Sequence, residues 1–398
     1  MSNINEKSYA LGSKRSIIRE IFEYSKVRAK EIGADKVFDF SLGNPSVEPP
    51  KEVTETLVKL LMEENATALH GYTSAQGDLG VRTAIADNIN SRFSANVTAN
   101  NIYMTCGAAA SLSICLKAVM NTGDKCVVFA PFFTEYRVFV ENAGGKLVVS
   151  MPNENDFQVD AVDFESKITK ETKAVIINSP NNPSGVVYSE KTIKNVCAIL
   201  EKKQKEYGRP IYLITDEPYR ELVYGDVDVP YVMNYYDNSM VCYSYSKSLS
   251  LPGERIGYIA VNPKMADSND VYLAVCGAGR SLGYVCAPSM FQKLIARCID
   301  AKVNIEAYER NRNLLYNSLK EYGFECIKPD GAFYLFVKSP DVSATAFYER
   351  AKEYEILVVP CDDFGIEGYV RIAYCVDYER IKNSLESFKK LAKDYNLK

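Results

Sequence analysis

The sequence contains no tryptophan and only one histidine, His70, among its 398 residues. A single imidazole excludes zinc proteases of the HExxH type and histidine-rich metal centres, and it weakens any Ser-His-Asp arrangement. We therefore predict no metal site. Proton transfer must come mainly from Lys, Asp, Glu, Tyr or Cys side chains.

The sequence also lacks an excess of positive charge and long apolar runs. Its 47 basic and 51 acidic residues give a net charge of −4, which argues against nucleic-acid binding because phosphates need a basic surface. No apolar run approaches the ~18 residues of a membrane span, and the polar N-terminus lacks the apolar core of a signal peptide. We predict a soluble, cytoplasmic protein with no membrane partner.

Paired cysteine motifs are absent as well. Eleven cysteines are spread along the chain, and none of them forms a CxxC pair. Without a secretion signal, such thiols are most simply reduced core residues. The length of the chain predicts two or three domains.

From about residue 100, short β-branched or aromatic runs alternate with helical patterns such as 111–120 and 190–205. This alternation is typical of a mostly parallel sheet with helices on both faces. The predicted strands lie within 101–107, 125–131, 173–180, 211–218, 240–247 and 255–263.

The end of the chain has a different pattern. A long helical stretch from about Pro288 to Tyr322 precedes strand-like segments at 331–338, 355–360 and 369–375. We expect a smaller α+β domain here. The predicted organisation is an N-terminal arm with part of the small domain (1–55), a large domain (56–290) and a C-terminal small domain (291–398).

The segment 271–285 partly matches two known motifs. Gly279-Arg280-Ser281-Leu282-Gly283 matches the GxSxG nucleophile elbow, but that fold needs its histidine after the serine, and the only histidine precedes it. Gly277 and Gly279 resemble a dinucleotide-binding loop, but the third glycine of that fingerprint is replaced by Leu282. A nicotinamide dehydrogenase is therefore disfavoured, and the segment is predicted to be a glycine-rich connection.

Three polar segments follow successive predicted strands, where open α/β sheets bind ligands. They are NSPNNPSG (178–185), TDEPYREL (215–222) and SYSKSLSLPGERIGY (244–258). Each alone has an ordinary interpretation as a turn, a helix cap or a solvated loop. Their order and their combination are informative.

Together these segments resemble the class I aminotransferases, a fold-type-I family of pyridoxal-phosphate enzymes. The resemblance runs from about Gly43 to Arg371. It implies a large domain with a mostly parallel seven-stranded sheet between helices, plus a smaller α+β domain. It also implies pyridoxal 5′-phosphate as cofactor, an amino acid and a 2-oxo acid as substrates, and a homodimer with shared active sites.

The resemblance assigns the central roles residue by residue. Lys247 resembles the lysine that anchors the cofactor covalently and moves the substrate proton. Asp216 would keep the pyridine nitrogen protonated, which makes the ring a better electron sink. Tyr219 and Asn182 would bond the cofactor's phenolic oxygen, and Asn182 also lies in the implied substrate site.

The phosphate would be bound where strand 101–107 runs into a helix. Backbone N–H groups of Ala108 and Ala109 would form an anion site at the helix N-terminus. Ser244 and Arg255 would complete it, and Ser246 is a further candidate. Since many relatives carry a hydroxyl or amide side chain where Ala109 stands, only a backbone donor is assigned there.

The remaining assignments concern ring stacking, the substrate and the partner subunit. Phe133 in PFFTEY matches the aromatic residue that stacks on the pyridine ring. Arg371 resembles the arginine that binds the substrate's α-carboxylate, and Gly43 matches a loop glycine that closes over it. Tyr72 resembles a tyrosine that reaches the phosphate of the neighbouring subunit.

Substrate choice stays open in the sequence. Arg280 follows Arg255 at nearly the interval seen for an arginine that crosses to the partner's site in some aspartate and glutamate enzymes. A flexible glycine-rich loop would carry Arg280 there to bind a distal carboxylate. The alternatives are a cysteine-conjugate β-lyase of the same fold and a non-catalytic regulator that senses the cofactor.

Overall fold

A central seven-stranded sheet forms where short β-branched and aromatic segments alternate with helices. The computed structural model describes residues 3–13 and 16–398. The strand order is β2-β8-β7-β6-β5-β3-β4, and only β8 runs antiparallel to its neighbours, which confirms the predicted fold class. The strands are β2 (Ile102–Thr105), β3 (Lys125–Phe129), β4 (Lys146–Ser150), β5 (Thr172–Asn178), β6 (Tyr212–Asp216), β7 (Ser239–Ser244) and β8 (Gly257–Val261).

Helices cover both faces of this sheet, because alternate side chains of each strand point to opposite cores. Cys242 of β7 belongs to the core formed with α6, α7 and α11, whereas its neighbour Tyr243 belongs to the core formed with α3, α5 and α12. The helices are α3 (Lys51–Glu63), α4 (Ala66–His70), α5 (Leu79–Phe93), α6 (Ala108–Val119), α7 (Glu135–Asn142), α8 (Ala161–Lys167), α9 (Glu190–Tyr207), α10 (Tyr245–Ser248), α11 (Ser268–Ser281) and α12 (Ser289–Arg297).

A second unit is built from both ends of the chain. Its strands are β1 (Phe38–Asp39), which pairs in parallel with β10 (Ile356–Leu357), and an antiparallel sheet of β11 (Val359–Pro360), β12 (Tyr369–Ala373) and β9 (Tyr334–Lys338). Its helices are α1 (Glu6–Ser13), α2 (Ile17–Ile32), α13 (Ile305–Glu321), α14 (Ala344–Lys352) and α15 (Tyr378–Asp394).

The two units divide the chain differently from the expected boundaries. One comprises residues up to 44, 308–328 and 333–398, and the other comprises 45–307 and 329–332. The helix expected from Pro288 to Tyr322 is wrong as a single element, because α12 ends at Arg297 and α13 begins at Ile305. Asn304 accepts a hydrogen bond from the Ala307 N–H at 3.2 Å and so caps the second helix.

The predicted glycine-rich connection around Arg280 is also wrong. Residues 268–281 form α11, and Arg280 lies exposed in its last turn. A Cβ at Gly279 would lie 2.2 Å from the Tyr103 hydroxyl, so this glycine permits close packing of the helix on β2. Among the described residues, no helix is long and apolar enough to cross a membrane.

Candidate active site

The three motifs found in the sequence lie at one edge of the large sheet. Strands β5, β6 and β7 are parallel neighbours, so their carboxyl ends meet at that edge. Asn178 pairs with Asp216 in the β5–β6 register, and Asp216 pairs with Cys242, two residues before Ser244. We call the group formed by Asp216, Ser244, Ser246, Lys247 and Arg255 the strand-end site.

Asp216 is the acidic residue of this site, and its pKa is raised. Its side chain is buried, and its Oδ2 accepts a hydrogen bond from the Tyr136 hydroxyl. Its Oδ1 is also buried but has no hydrogen-bond partner in the part of the chain that the structure describes. Burial raises the pKa of Asp216 to about 7, against the opposing effect of the Tyr136 hydrogen bond, and Glu217 raises it further.

Asn178 joins the strand ends to the following loop. Its side-chain amide donates to the Asp216 carbonyl at 2.8 Å, and its Oδ1 accepts from the Asn182 N–H at 2.8 Å. Asn181 fixes the same loop by accepting from the Ser184 hydroxyl at 2.7 Å. The side chains of Asn182 and Tyr219 are both buried in the same unit as Asp216.

Lys247 lies on α10, a single helical turn directly after β7. Ser244 caps this turn, because its Oγ accepts from the Ser246 N–H at 3.3 Å and lies 2.9 Å from the Ser246 hydroxyl. Lys247 is half-buried, whereas Tyr245 and Ser248 on the same turn are buried. A capped turn at a strand end fixes the backbone that carries the amine.

The start of α6 faces a guanidinium group. Gly107 has φ 89°, and a Cβ there would lie 3.0 Å from Arg255 Nη2, so the backbone approaches that cation closely. Gly107 is the N-cap residue of α6, and it has no side chain that could accept hydrogen bonds from the first N–H groups of the helix. Ala108 and Ala109 therefore offer backbone donors beside a positive charge, a combination suited to phosphate.

These groups match the polar groups of pyridoxal phosphate. The buried Asp216 Oδ1 can accept from the pyridine nitrogen, Lys247 can hold the aldehyde carbon, and Arg255 with the α6 N–H groups can hold the phosphate. Phe133 is partly buried beside Tyr136, edge to face at 5.7 Å. The residues present fit the cofactor that the resemblance implies.

Arg371 lies on β12 in the unit built from both chain ends. It is buried, donates through Nη2 to the Ser41 carbonyl at 2.7 Å, and stacks on the Tyr334 ring at 4.5 Å. Gly43 packs against Tyr334, because a Cβ at this glycine would overlap the tyrosine hydroxyl. The loop at 41–43 and the guanidinium are thus held by the same tyrosine.

Tyr72 and Arg280 are both exposed. Tyr72 is 98% exposed in the loop after α4, which is tied down where Cys286 Sγ contacts the Thr73 carbonyl at 3.4 Å. Arg280 lies on α11, in the same unit. Neither is brought to the strand-end site by a contact within the described chain.

Three contributors were missed in the sequence: Tyr136, Asn178 and Tyr334. Tyr136 lies one helical turn after Phe133, but only the packing of α7 brings it to Asp216. Asn178 could have been found, since it ends a strand directly before the NNP motif. Nothing in the sequence marks Tyr334 as a site residue, because aromatic residues are common in strands.

The raised pKa of Asp216 makes the cofactor-free protein sensitive to pH. Because its folded pKa of about 7 exceeds the ordinary aspartate value of 3.8, its stabilising contribution is present below about pH 4 and is lost as the pH rises through 7. The difference between the two pKa values corresponds to on the order of 4 kcal/mol in the free energy of unfolding. In urea titrations from pH 4 to 8, the wild-type free energy of unfolding should fall relative to that of Asp216→Asn.

The matched measurement uses the cofactor-loaded protein. A positive charge on the ring nitrogen favours the carboxylate, so the pH-dependent difference between the two proteins should shrink when the cofactor is bound. Parallel pH curves for the two cofactor-free proteins would show that Asp216 ionises normally.

Comparison with known proteins agrees with this geometry. The family model for aminotransferase class I and II matches residues 35–388. A probable aspartate aminotransferase from Methanocaldococcus jannaschii is 30% identical over 391 residues, covering 95% of this chain and 97% of that protein. An aspartate aminotransferase from Thermotoga maritima is 28% identical and covers 91% and 93%.

Among solved structures, an aminotransferase from Eubacterium rectale is similar over the full length. The two chains share 54% identity with a TM-score of 0.98, and the match covers 100% of each. The match therefore spans both units.

Proposed function

Because this chain belongs to the class I and II aminotransferase family, we propose that Lys247 is the base of an amino-group transfer from an L-amino acid to a 2-oxo acid. The protein is a pyridoxal-phosphate-dependent aminotransferase. When bound, the cofactor supplies an electron sink for the carbanion formed at the substrate Cα. The ping-pong order follows, since one site serves donor and acceptor in turn.

In this proposal, different side chains of the protein move the proton, hold the cofactor ring and exclude water. The Lys247 amine moves a proton between the substrate Cα and the C4′ atom of the cofactor, while the capped turn α10 fixes its position. Asp216 keeps the ring nitrogen protonated, and Tyr136 and Asn178 hold that carboxylate and its backbone. Tyr219 and Asn182 bond the phenolic oxygen, and Phe133 excludes water from one ring face.

The remaining groups bind the anions. The phosphate is bound by Arg255, by the hydroxyl groups of Ser244 and Ser246, and by the N–H groups of Ala108 and Ala109. In the other unit, Arg371 binds the substrate α-carboxylate, and Gly43 closes over it. A buried arginine that already donates to a carbonyl and stacks on Tyr334 has a restricted orientation, which favours a fixed carboxylate geometry.

The observation that carries the proposal is the buried Asp216 oxygen without a hydrogen-bond partner in the described chain. The decisive experiment follows the cofactor's visible absorbance in single half-reactions against a panel of amino acids, with products identified. A 2-oxo acid without ammonia supports transfer. Pyruvate with ammonia would favour β-elimination from cysteine conjugates instead.

We further propose a homodimer in which Tyr72 contacts the phosphate of the cofactor that the partner subunit binds. An aromatic side chain 98% exposed in one chain is suited to a contact across an interface. Hybrid dimers of wild type with the Tyr72→Phe, Lys247→Ala double variant would then contain one site with its lysine but without the partner's tyrosine. Cofactor affinity at that site, measured by absorbance titration, should fall.

The control hybrid pairs wild type with Lys247→Ala alone, which leaves both tyrosines in place. Equal cofactor affinity of the two hybrids would show that Tyr72 serves its own subunit. A chain that sediments as a monomer at assay concentration would contradict the dimer itself.

The proposed substrate class is a dicarboxylic amino acid whose distal carboxylate binds Arg280 from the partner. Arg280 is exposed at the end of α11 and therefore available for such a contact. A hydrogen bond to a charged group contributes about 1.5–3 kcal/mol, so Arg280→Ala should lower kcat/KM for aspartate and glutamate by about 10–150-fold. Alanine and aromatic donors should be nearly unaffected.

Arg297→Ala is the matched control, since it removes another exposed arginine of the same unit. An Arg280→Ala enzyme that slows all donors alike would indicate interface damage. One that slows none would remove the case for a dicarboxylic substrate.

We also propose a cytoplasmic location. All eleven cysteines are free thiols in the structure, a state that the reducing cytoplasm maintains.

A further inference from the structure

A cavity lies on the opposite face of the large sheet from Asp216. It encloses about 640 Å³, within the size range of small-molecule sites. Tyr243 and Tyr258 line it and belong to the core packed on α5. Asp216, by contrast, is bonded by Tyr136, which belongs to the core of the other face. The sheet thus separates this cavity, here called the rear pocket, from the strand-end site.

The inner wall of the rear pocket is aromatic and carries hydroxyl groups. Tyr243 stacks on Tyr258 with ring centroids 5.0 Å apart and meets Tyr245 edge to face at 5.1 Å. Phe93 also lines the wall. Burial raises the pKa of all three tyrosines, so they remain neutral. Such a wall suits a ring or an apolar side chain rather than a second charge.

One buried hydroxyl in this wall is left without a well-formed bond. Ser248 lines the pocket and is buried. Its Oγ lies near the Tyr243 hydroxyl, but it makes no hydrogen bond of standard geometry to any residue between 16 and 398 or in 3–13. A buried polar atom of this kind is commonly satisfied by a ligand or a water molecule.

The pocket also contains a balanced ion pair. Arg92 Nη2 lies 2.9 Å from the Glu221 carboxylate, with 37% and 28% of the two side chains exposed. Glu221 also accepts from the Tyr243 hydroxyl at 3.3 Å, which connects the pair to the aromatic wall. The further charges that line the pocket are Arg220, Asp228, Asp300 and Lys302. Arg220 is already paired with the buried Glu217, and the other lining groups include charges of both signs, so the pocket offers contacts to a ligand that carries both charges.

We propose that the rear pocket binds a small zwitterion of the α-amino acid class with an aromatic side chain, its carboxylate on Arg92, its ammonium on Glu221 and its ring against Tyr243, Tyr245 and Tyr258. An anion alone would leave Glu221 beside a like charge, and a cation alone would do the same to Arg92. A zwitterion satisfies both members of the pair. This binding is independent of the reaction proposed for the strand-end site.

The probe must be unable to react with the cofactor. N,N-dimethyl-L-phenylalanine carries both charges, but its tertiary amine cannot form a double bond to an aldehyde. Calorimetric titration of the cofactor-loaded enzyme should detect its binding. Arg92→Gln and Glu221→Gln should each raise Kd by about 10–150-fold, the range for one lost charged hydrogen bond.

Three controls assign the site. Arg297→Gln breaks a surface pair of similar exposure, with Glu64, and should leave Kd unchanged. Arg371→Gln should also leave it unchanged, whereas loss of binding in that variant alone would place the probe in the substrate site and overturn the proposal. Phenylacetate and N,N-dimethylphenethylamine, each with one charge, should bind at least tenfold more weakly than the zwitterion.

Folding is checked by the thermal midpoint of each variant. If Arg92→Gln is unstable, Glu221→Gln carries the test alone. Absence of calorimetric binding to the wild-type holoenzyme, or equal affinity for the three compounds, contradicts a zwitterion site in the rear pocket.

Discussion

Replacing Lys247 by alanine is expected to lower the rate of amino-group transfer by several orders of magnitude. The change removes the amine from α10 while leaving the cap by Ser244 intact. Loss of positioned proton transfer alone costs about 10²–10⁴-fold, and loss of the covalent anchor adds to it. The measurement is the single half-reaction with a saturating amino donor.

Two controls separate the chemistry from folding. Lys264→Ala removes an exposed lysine of the same unit and should retain full activity. Borohydride treatment followed by peptide mass spectrometry should find the reduced cofactor on Lys247 in wild type. Near-parental turnover by Lys247→Ala would falsify the assignment of the base.

Removing the cation of the buried Glu217–Arg220 pair should destabilise the fold by about 3–5 kcal/mol. Both side chains are almost fully buried in their ion pair, Glu217 accepts from the Thr215 hydroxyl at 2.9 Å, and Arg220 also donates to the Val229 carbonyl at 2.9 Å. Arg220→Met keeps most of the volume but leaves a buried carboxylate uncompensated. Urea unfolding measures the difference.

The matched pair is Arg297 with Glu64, whose side chains are 42% and 29% exposed. Arg297→Met should cost less than about 1 kcal/mol. The double variant Glu217→Met, Arg220→Met should recover part of the loss, because no buried charge then remains. The single variants Glu217→Met and Arg220→Met are measured separately for comparison. If the loss of stability in the double variant equals the sum of their two losses, the pair acts through packing alone.

The sequence predicted most of the large sheet because its strands are short, apolar and separated by helical patterns. It missed β4, an edge strand whose first residue, Lys146, is exposed and whose middle residues are half-buried. It also misjudged the backbone around Arg280, because glycines in a sequence indicate a turn as readily as close packing. Only the neighbouring Tyr103 distinguishes the two cases.

The candidate site was predictable where one segment carries several polar residues in fixed order, as in SYSK and DEPY. Contacts between distant segments were not predictable. Tyr136 reaches Asp216 only after α7 packs on the sheet, and Tyr334 reaches Gly43 only after β9 and β12 pair. Such contacts depend on tertiary distances that no local pattern contains.

The pairing of β1 with β10 has a consequence for biosynthesis. Phe38 aligns with Ile356, so β1 is synthesised long before the strand with which it pairs. At synthesis rates of about 5–20 residues per second, the delay is roughly 15–60 s. During that interval Val37, Phe38 and Phe40, all buried in the finished protein, have no native surface to cover them. The cover of these three residues should therefore form only after residues 355–357 have been synthesised.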